Sequence, residues 1–148
     1  MLGGIEVPYS RGLDGHSDGD CLIHAVCDAL LGAVGAGDMG RHFPSSDPRW
    51  KGAPSRRFLE ETSRVLEESG WVVQNIDATI VAQAPALAAL LDRMRLAVAE
   101  ALRLDVGAVS IKAKSTDELG AIGRGEGIAA MAVALVERSD DGSGGTRG

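Results

Sequence analysis

The sequence predicts a single α/β domain, a two-layer sandwich with a mixed sheet and helices on one of its faces. Three observations carry that expectation. Segments with helical apolar spacing (Cys21 to Val34, Ser55 to Ser69, Ala86 to Leu104) alternate with segments of strand character (Trp71 to Val81, Val109 to Lys114, and Ile128 to Glu137, whose alanines also allow a helix). The 148 residues are 45% hydrophobic and 24% charged, the balance of one soluble domain that buries roughly 70% of its unfolded surface. Aromatic residues make up only 3% of the chain, so Ala, Val, Leu and Ile must fill the core. The sheet face opposite the helices, lined by small residues, then needs cover, most simply from other subunits.

Met1 to Pro8 reads as a short strand or hairpin arm broken by Gly3 and Gly4. Tyr9 to Gly19 is a loop rich in Gly and Asp. The first helix is expected from about Asp18, with Ser17 or Asp18 as its cap and Asp20 in the first turn, where a carboxylate meets the positive end of the helix dipole. Ile23, Val26, Leu30, Leu31 and Val34 supply its apolar stripe. Gly35 to Pro54 reads as one long connection, punctuated by Gly and Pro. Ser55 is the expected cap of the second helix and Gly70 its terminator. Asp77 interrupts an otherwise apolar strand and must face a polar neighbour or solvent. Ala82 to Pro85 is a small-residue turn before the third helix. Val109 to Lys114 alternates strictly, so one face of that strand is wet. Ser115 to Gly127 is a polar, glycine-rich connection, and the domain closes near residue 138. Ser139 to Gly148 has the composition of a disordered tail.

A net charge of −6 argues against a general nucleic-acid binder. Two of the three lysines, Lys112 and Lys114, lie close together and could serve a phosphorylated small molecule. Cys21 and Cys27 are six apart on one helix and point to different faces, so no bridge is expected. No CxxC pair encodes a thiolate zinc knuckle, and a cytoplasmic setting is the default. No signal peptide and no membrane-spanning run is present in the sequence.

Four polar clusters fall at element ends: His16 to Asp20 with His24, Asp38 to Asp47, Ala82 to Pro85, and Lys112 to Asp117. Asp20, His24 and Asp28, spaced four apart, share one helix face. That pattern suits a metal-bound imidazole flanked by carboxylates, and equally the solvated face of an amphipathic helix. Imidazole, carboxylate, hydroxyl and lysine together suit phosphoryl chemistry, in which positioning and charge neutralisation do most of the catalysis. No P-loop signature is present. Gly123-Arg124-Gly125-Glu126-Gly127 reads alone as a tight turn with a surface ion pair, or as a weak nucleotide signature.

HSDGDCLIHAVCDALLGAVGAGDMGRHFPSSDPRWKGA (residues 16–53), DATIVAQAP (77–85) and GRGEGIA (123–129) occur in the order and spacing of the 2-C-methyl-D-erythritol 2,4-cyclodiphosphate synthase family, which the chain resembles over about Leu2 to Val136. The resemblance implies a homotrimer with active sites between subunits and sheets packed around the trimer axis. It implies cyclisation of 4-diphosphocytidyl-2-C-methyl-D-erythritol 2-phosphate with loss of CMP, and two divalent cations, zinc and either magnesium or manganese. By position, His24 matches a zinc ligand, and Asp20 a carboxylate supporting it or the loop. His16 and Ser17 match substrate contacts, with His16 and Ser115 as stabilisers of the transition state. Asp38, Met39 and Gly40 match a segment against the erythritol moiety, and Phe43, Pro44, Ser45, Ser46 and Asp47 the next lining segment. Ala82, Gln83, Ala84, Pro85, Ala86, Leu87 and Ala88 match the cytidine pocket. Lys114, Ser115, Thr116 and Asp117 match the diphosphate segment, with Asp117 at the magnesium position, and Arg124 matches an arginine beyond it.

The chain departs from the family pattern in three places. Lys114-Ser115-Thr116-Asp117 stands where the family shows Thr-Thr-x-Glu, so the acid is one methylene shorter. Ala121 stands where a Phe is common. The family's first strand, with an Asp-x-His pair of zinc ligands, has no counterpart before the segment that starts at Met1. A chain with His24 as its only zinc ligand is expected to bind zinc poorly and to be nearly inactive, and the alternative reading is an impaired trimeric nucleotide-binding protein.

Overall fold

The computed structural model describes residues 1–10 and 18–139. His16 and Ser17 therefore lie outside the described residues, as does the expected tail beyond Ser139.

A three-stranded sheet forms the base. Strand β1 (Trp71–Val81) is central, β2 (Val109–Lys114) pairs with it in parallel and β3 (Ala129–Arg138) antiparallel. The inward-facing rows are Val73, Ile76, Ala78 and Ile80 on β1, with Val109 and Ile111 on β2. On β3, Ala130, Ala132 and Ala134 lie opposite Ile80, Ala78 and Ile76 and pack against the core.

Helix α1 (Cys21–Ala33) crosses this inner face and is wrapped by α3 (Ser55–Glu68) and the sheet. Leu22, Ile23, Val26, Cys27, Leu30 and Leu31 are all buried, which explains why its sequence is apolar nearly all round. The small side chains of β3 leave room for α1 to lie close on that strand. Helix α4 (Leu91–Leu102) packs on β2 and α3 through Met94, Val98 and Leu102. Arg95 ties it down by donating to the carbonyl oxygens of Val109 and Val106.

Several expectations need correction. The small residues of β3 face the helix, whereas its outer face carries Met131, Val133 and Leu135, each more than 60% exposed. The two rows must be opposite because strand side chains alternate. Residues 1–8 form only an isolated bridge between Leu2 and Ile5, not a strand. Helix α1 starts at Cys21 and is capped by Asp20, not by Ser17 or Asp18, because Asp20 reaches the Ile23 amide at 3.0 Å. Ser55 is the first residue of α3 rather than its cap. The stretch from Gly35 to Pro54 is not a plain loop: it holds helix α2 (Met39–His42) and a 3₁₀ turn at Pro48–Trp50. The third helix begins as a 3₁₀ turn, Ala88–Leu90, before α4. A short helix α5 (Gly120–Gly123) lies within the final connection.

Candidate active site

Two polar clusters stand out, and the topology explains each. Strands β1 and β2 run parallel and end in register, Val81 opposite Lys114. The crevice outside the carboxyl ends of parallel strands is where α/β folds place ligands. From those ends emerge the two segments expected to hold cytidine and diphosphate. The Ala82 amide donates to the Lys114 carbonyl oxygen at 2.9 Å, so the strand pairing continues one step into the loops. Ala82 to Pro85 is half-buried, Leu87 is anchored in the core, and Ala86 and Ala88 are exposed. The Ala84–Pro85 bond is cis.

Beyond Lys114 the chain makes a tight turn. Ser115 Oγ lies 3.1 Å from Asp117 Oδ1, and Thr116 Oγ1 donates to the Leu119 carbonyl oxygen at 2.8 Å. The Leu119 amide returns to the Thr116 carbonyl oxygen at 2.9 Å. Asp117 and Glu118 both take left-handed backbone conformations, φ +50° and +65°. The Glu118 amide donates to Gln83 Oε1 at 3.1 Å, linking the two segments. Gly123 backs the turn: a Cβ there would lie 2.2 Å from the Glu118 carbonyl carbon.

The second cluster surrounds α1. His24 stands edge-on to Phe58, 6.1 Å between centroids. Phe58 in turn meets Phe43 at 5.3 Å and Trp50 at 5.4 Å, so three aromatic rings brace the segment from Asp38 to Trp50 beside His24. Asp28 accepts the Met39 amide and Asp38 accepts that of Arg41. Asp47 caps the Pro48 turn and pairs with Arg49, which holds its carboxyl below the usual range. Phe43 and Pro44 are half-buried, and Ser45 and Ser46 are exposed, as are Asp38 and Gly40.

The structure reassigns Asp20. Fully buried, it accepts the amides of Gly3 (2.8 Å), Gly4 (2.6 Å) and Ile23 (3.0 Å) and the hydroxyl of Ser55 (3.2 Å). The carboxylate knots the N-terminal segment to the starts of α1 and α3, so it is not a support for His24. Asp18 extends the knot by accepting the Ser55 amide at 2.8 Å. Arg124 makes a two-pronged ion pair with Glu126 on the surface, the plain reading of that glycine-rich turn. Lys112 pairs with Asp77 on the outer sheet face, which leaves Lys114 as the lysine beside the turn. Burial pushes the Cys21 thiol up to about 11 and that of Cys27 to about 12, so neither offers a thiolate at neutral pH.

The alternation of polar and apolar residues exposed the strand ends, but not Glu118 or Gly123. Glu118 carries no side-chain signal for its left-handed backbone. The nearby glycines were legible only as a flexible connection. A cleft of about 280 Å³ lies between Leu2, Tyr9, Pro85 and Gly125 to Ile128, on the Gly-rich side of the 82–85 turn.

A family model described as the YgbB family matches residues 1–137. A 2-C-methyl-D-erythritol 2,4-cyclodiphosphate synthase of Halorhodospira halophila is 57% identical over 136 residues, 92% of this chain and 83% of that protein. The bifunctional IspDF of Campylobacter jejuni superimposes with a TM-score of 0.89 at 37% identity, over 93% of this chain and 37% of that longer one. A 2C-methyl-D-erythritol-2,4-cyclodiphosphate synthase in a CDP-bound form superimposes with a TM-score of 0.81 at 32% identity, over 93% and 89% of the two chains.

Proposed function

The chain belongs to the YgbB family, and from that membership we propose that it is a phosphorus–oxygen lyase that converts 4-diphosphocytidyl-2-C-methyl-D-erythritol 2-phosphate to 2-C-methyl-D-erythritol 2,4-cyclodiphosphate. The reaction serves isoprenoid precursor synthesis by the methylerythritol phosphate route. In it, a 2-phosphate oxygen forms a bond to the β-phosphorus, the bond from that phosphorus to the bridging oxygen breaks, and CMP leaves with that oxygen. One observation carries the reading: the parallel ends of β1 and β2 place the 82–88 segment directly beside the Ser115–Asp117 turn, joined by the Gln83–Glu118 bond.

The roles are those the resemblance implies, and this arrangement supports them. The backbone of Ala82 to Ala88 faces the base, Leu87 anchoring it from below. Lys114 and the hydroxyls of Ser115 and Thr116 meet the diphosphate, stabilising charge that grows as the bridging bond breaks. Phe43, Pro44, Ser45, Ser46 and Asp47, with Asp38, Met39 and Gly40, form the wall for the erythritol moiety. His16, Ser17 and Arg124 complete the contact set by resemblance alone.

A divalent cation belongs to the family's chemistry, and the resemblance places zinc at His24 and magnesium or manganese at Asp117. The donor set is the test. Among the described residues no three His, Cys, Asp or Glu side chains gather as a metal site, and the Asp20 carboxylate is spent on amides and a hydroxyl. The described residues by themselves do not fit a zinc centre. The alternative of an impaired nucleotide-binding protein gains no support from relatives that carry the synthase name.

The same reading includes a homotrimer. The support is the outer face of β3, where Met131, Val133 and Leu135 (63%, 71% and 61% exposed) present large apolar side chains. Among the described residues no helix is long and apolar enough to cross a membrane, and a cytoplasmic setting is part of the proposal. The experiment is incubation of the chain with the cytidylyl substrate and divalent cations. Phosphorus NMR should show a cyclic diphosphate, with CMP in equal amount. Free orthophosphate would identify a hydrolase and overturn the reading, and so would absence of turnover.

A further inference from the structure

We propose that Gln83 is a positioning residue for this transfer, through a strut from its side-chain carbonyl oxygen to the Glu118 amide. The inference rests on the synthase reading and goes beyond it. By resemblance, the segment containing Gln83 serves the base, yet its side chain is engaged 35 positions along the chain, in the turn that meets the diphosphate.

That turn needs an external hold. Asp117 and Glu118 are both left-handed, at φ +50° and +65°. Asp tolerates that region because its short side chain can bond locally, as it does here with Ser115. Glu has no such compensation, so Glu118 stays left-handed only if its surroundings over-determine it. Two neighbours do so. Gly123 presses on its carbonyl side, where any Cβ would collide with the main chain. Gln83 binds its amide on the other side. Without the Gln83 acceptor, Glu118 is free to relax to negative φ, and rotation there swings the Asp117 carboxylate and the Ser115 hydroxyl bonded to it.

The strut therefore fixes the spacing between the pocket for the base and the turn for the diphosphate. A cytidine diphosphate substrate spans both, so that spacing sets where the β-phosphorus sits relative to the attacking phosphate. Small misplacements of reacting atoms are costly: a shift near 1 Å can lower turnover on the order of 100-fold. Binding of the base, read by backbone groups of the 82–88 segment itself, depends less on the strut.

The test is Gln83→Met, which keeps length and removes the acceptor, measured in parent and in Glu118→Gly backgrounds. In the parent, kcat should fall about 10- to 100-fold while KM for the cytidylyl substrate moves less than about threefold. In the Glu118→Gly chain, glycine holds positive φ without strain, so the same change should cost less than about threefold in kcat. Equal cost in both backgrounds, an unchanged kcat in Gln83→Met, or an inactive Glu118→Gly chain overturns the proposal. So does loss of the cooperative melt in Gln83→Met, since the bond would then serve the fold alone. An inactive parent breaks the synthase reading instead, whereas an active parent indifferent to Gln83→Met breaks only the strut.

Discussion

The knot at Asp20 and the turn at Asp117–Glu118 are made of similar material and do opposite work. Each joins acidic residues to left-handed backbone at the end of an element. In the knot, glycines hold the left-handed positions, Gly3 at φ +59° and Gly4 at +76°, and the acid is buried and accepts four hydrogen bonds. In the turn, Asp and Glu occupy the left-handed positions themselves, and both side chains are exposed. Nothing in the knot is strained, because glycine carries no Cβ to clash. The turn stores strain and keeps its polar groups open to a ligand. Fold maintenance and chemistry thus separate by who takes the unfavourable backbone, glycine or a functional side chain.

Removing the knot's acceptor should have the largest effect. Asp20→Ala leaves the buried amides of Gly3 and Ile23, and the Ser55 hydroxyl, without their partner. It should lower stability by about 3–5 kcal/mol, read from urea denaturation. A loss under about 1 kcal/mol would mean that the knot is not a main support of the fold.

Gly123→Ala should distinguish the turn. Its Cβ would lie 2.2 Å from Glu118, so backbone must move, at a cost of about 1–3 kcal/mol in stability. The sharper reading is turnover, expected to drop by about tenfold or more with the fold retained. A variant that loses stability but keeps full turnover would show that the turn's shape is irrelevant to chemistry.

The smallest effect belongs to the pair of Asp77 and Lys112, which lies in neither region. Hydrogen bonding from Lys112 holds the Asp77 carboxyl below its ordinary value. A carboxyl depressed in the folded state adds stability above its unfolded pKa and loses it as pH falls through the folded value. Both side chains are about half exposed, so solvent screens the pair. Asp77→Asn should shift the melting temperature at pH 7 by less than about 2 °C and remove a small part of the acid-side slope. A larger shift would show that the trimer contact proposed at Met131, Val133 and Leu135 extends onto β1 and takes in this pair.

Much of the fold was legible locally. Trp71–Val81 and Val109–Lys114 form the strands their sequences predict, because alternation and β-branched content act over adjacent residues. The wet face of β2 and the polar partner of Asp77 followed from the same alternation. Helix ends were less legible. Ser17, Asp18 and Asp20 all carry capping side chains, and only the approach of Gly3, Gly4 and Ser55 selects Asp20. Its carboxylate looked like a partner for His24 since both share a helix face, but an acid at the cap position turns toward the free amides. The aromatic brace of Phe43, Trp50 and Phe58 beside His24 leaves no local signal in the sequence, because it joins three separate elements.

The sequence by itself determined the alternation of helices and strands, the family, and which segments carry hydroxyls, lysine and acids at element ends. These depend on side-chain type and short-range spacing. Only the tertiary structure decided that β1 and β2 run parallel with Val81 beside Lys114, that β3 turns its alanines to α1 and its large side chains outward, and that Gln83 reaches Glu118. Those outcomes depend on contacts between residues tens of positions apart, and on a backbone conformation at Glu118 that its own side chain does not favour.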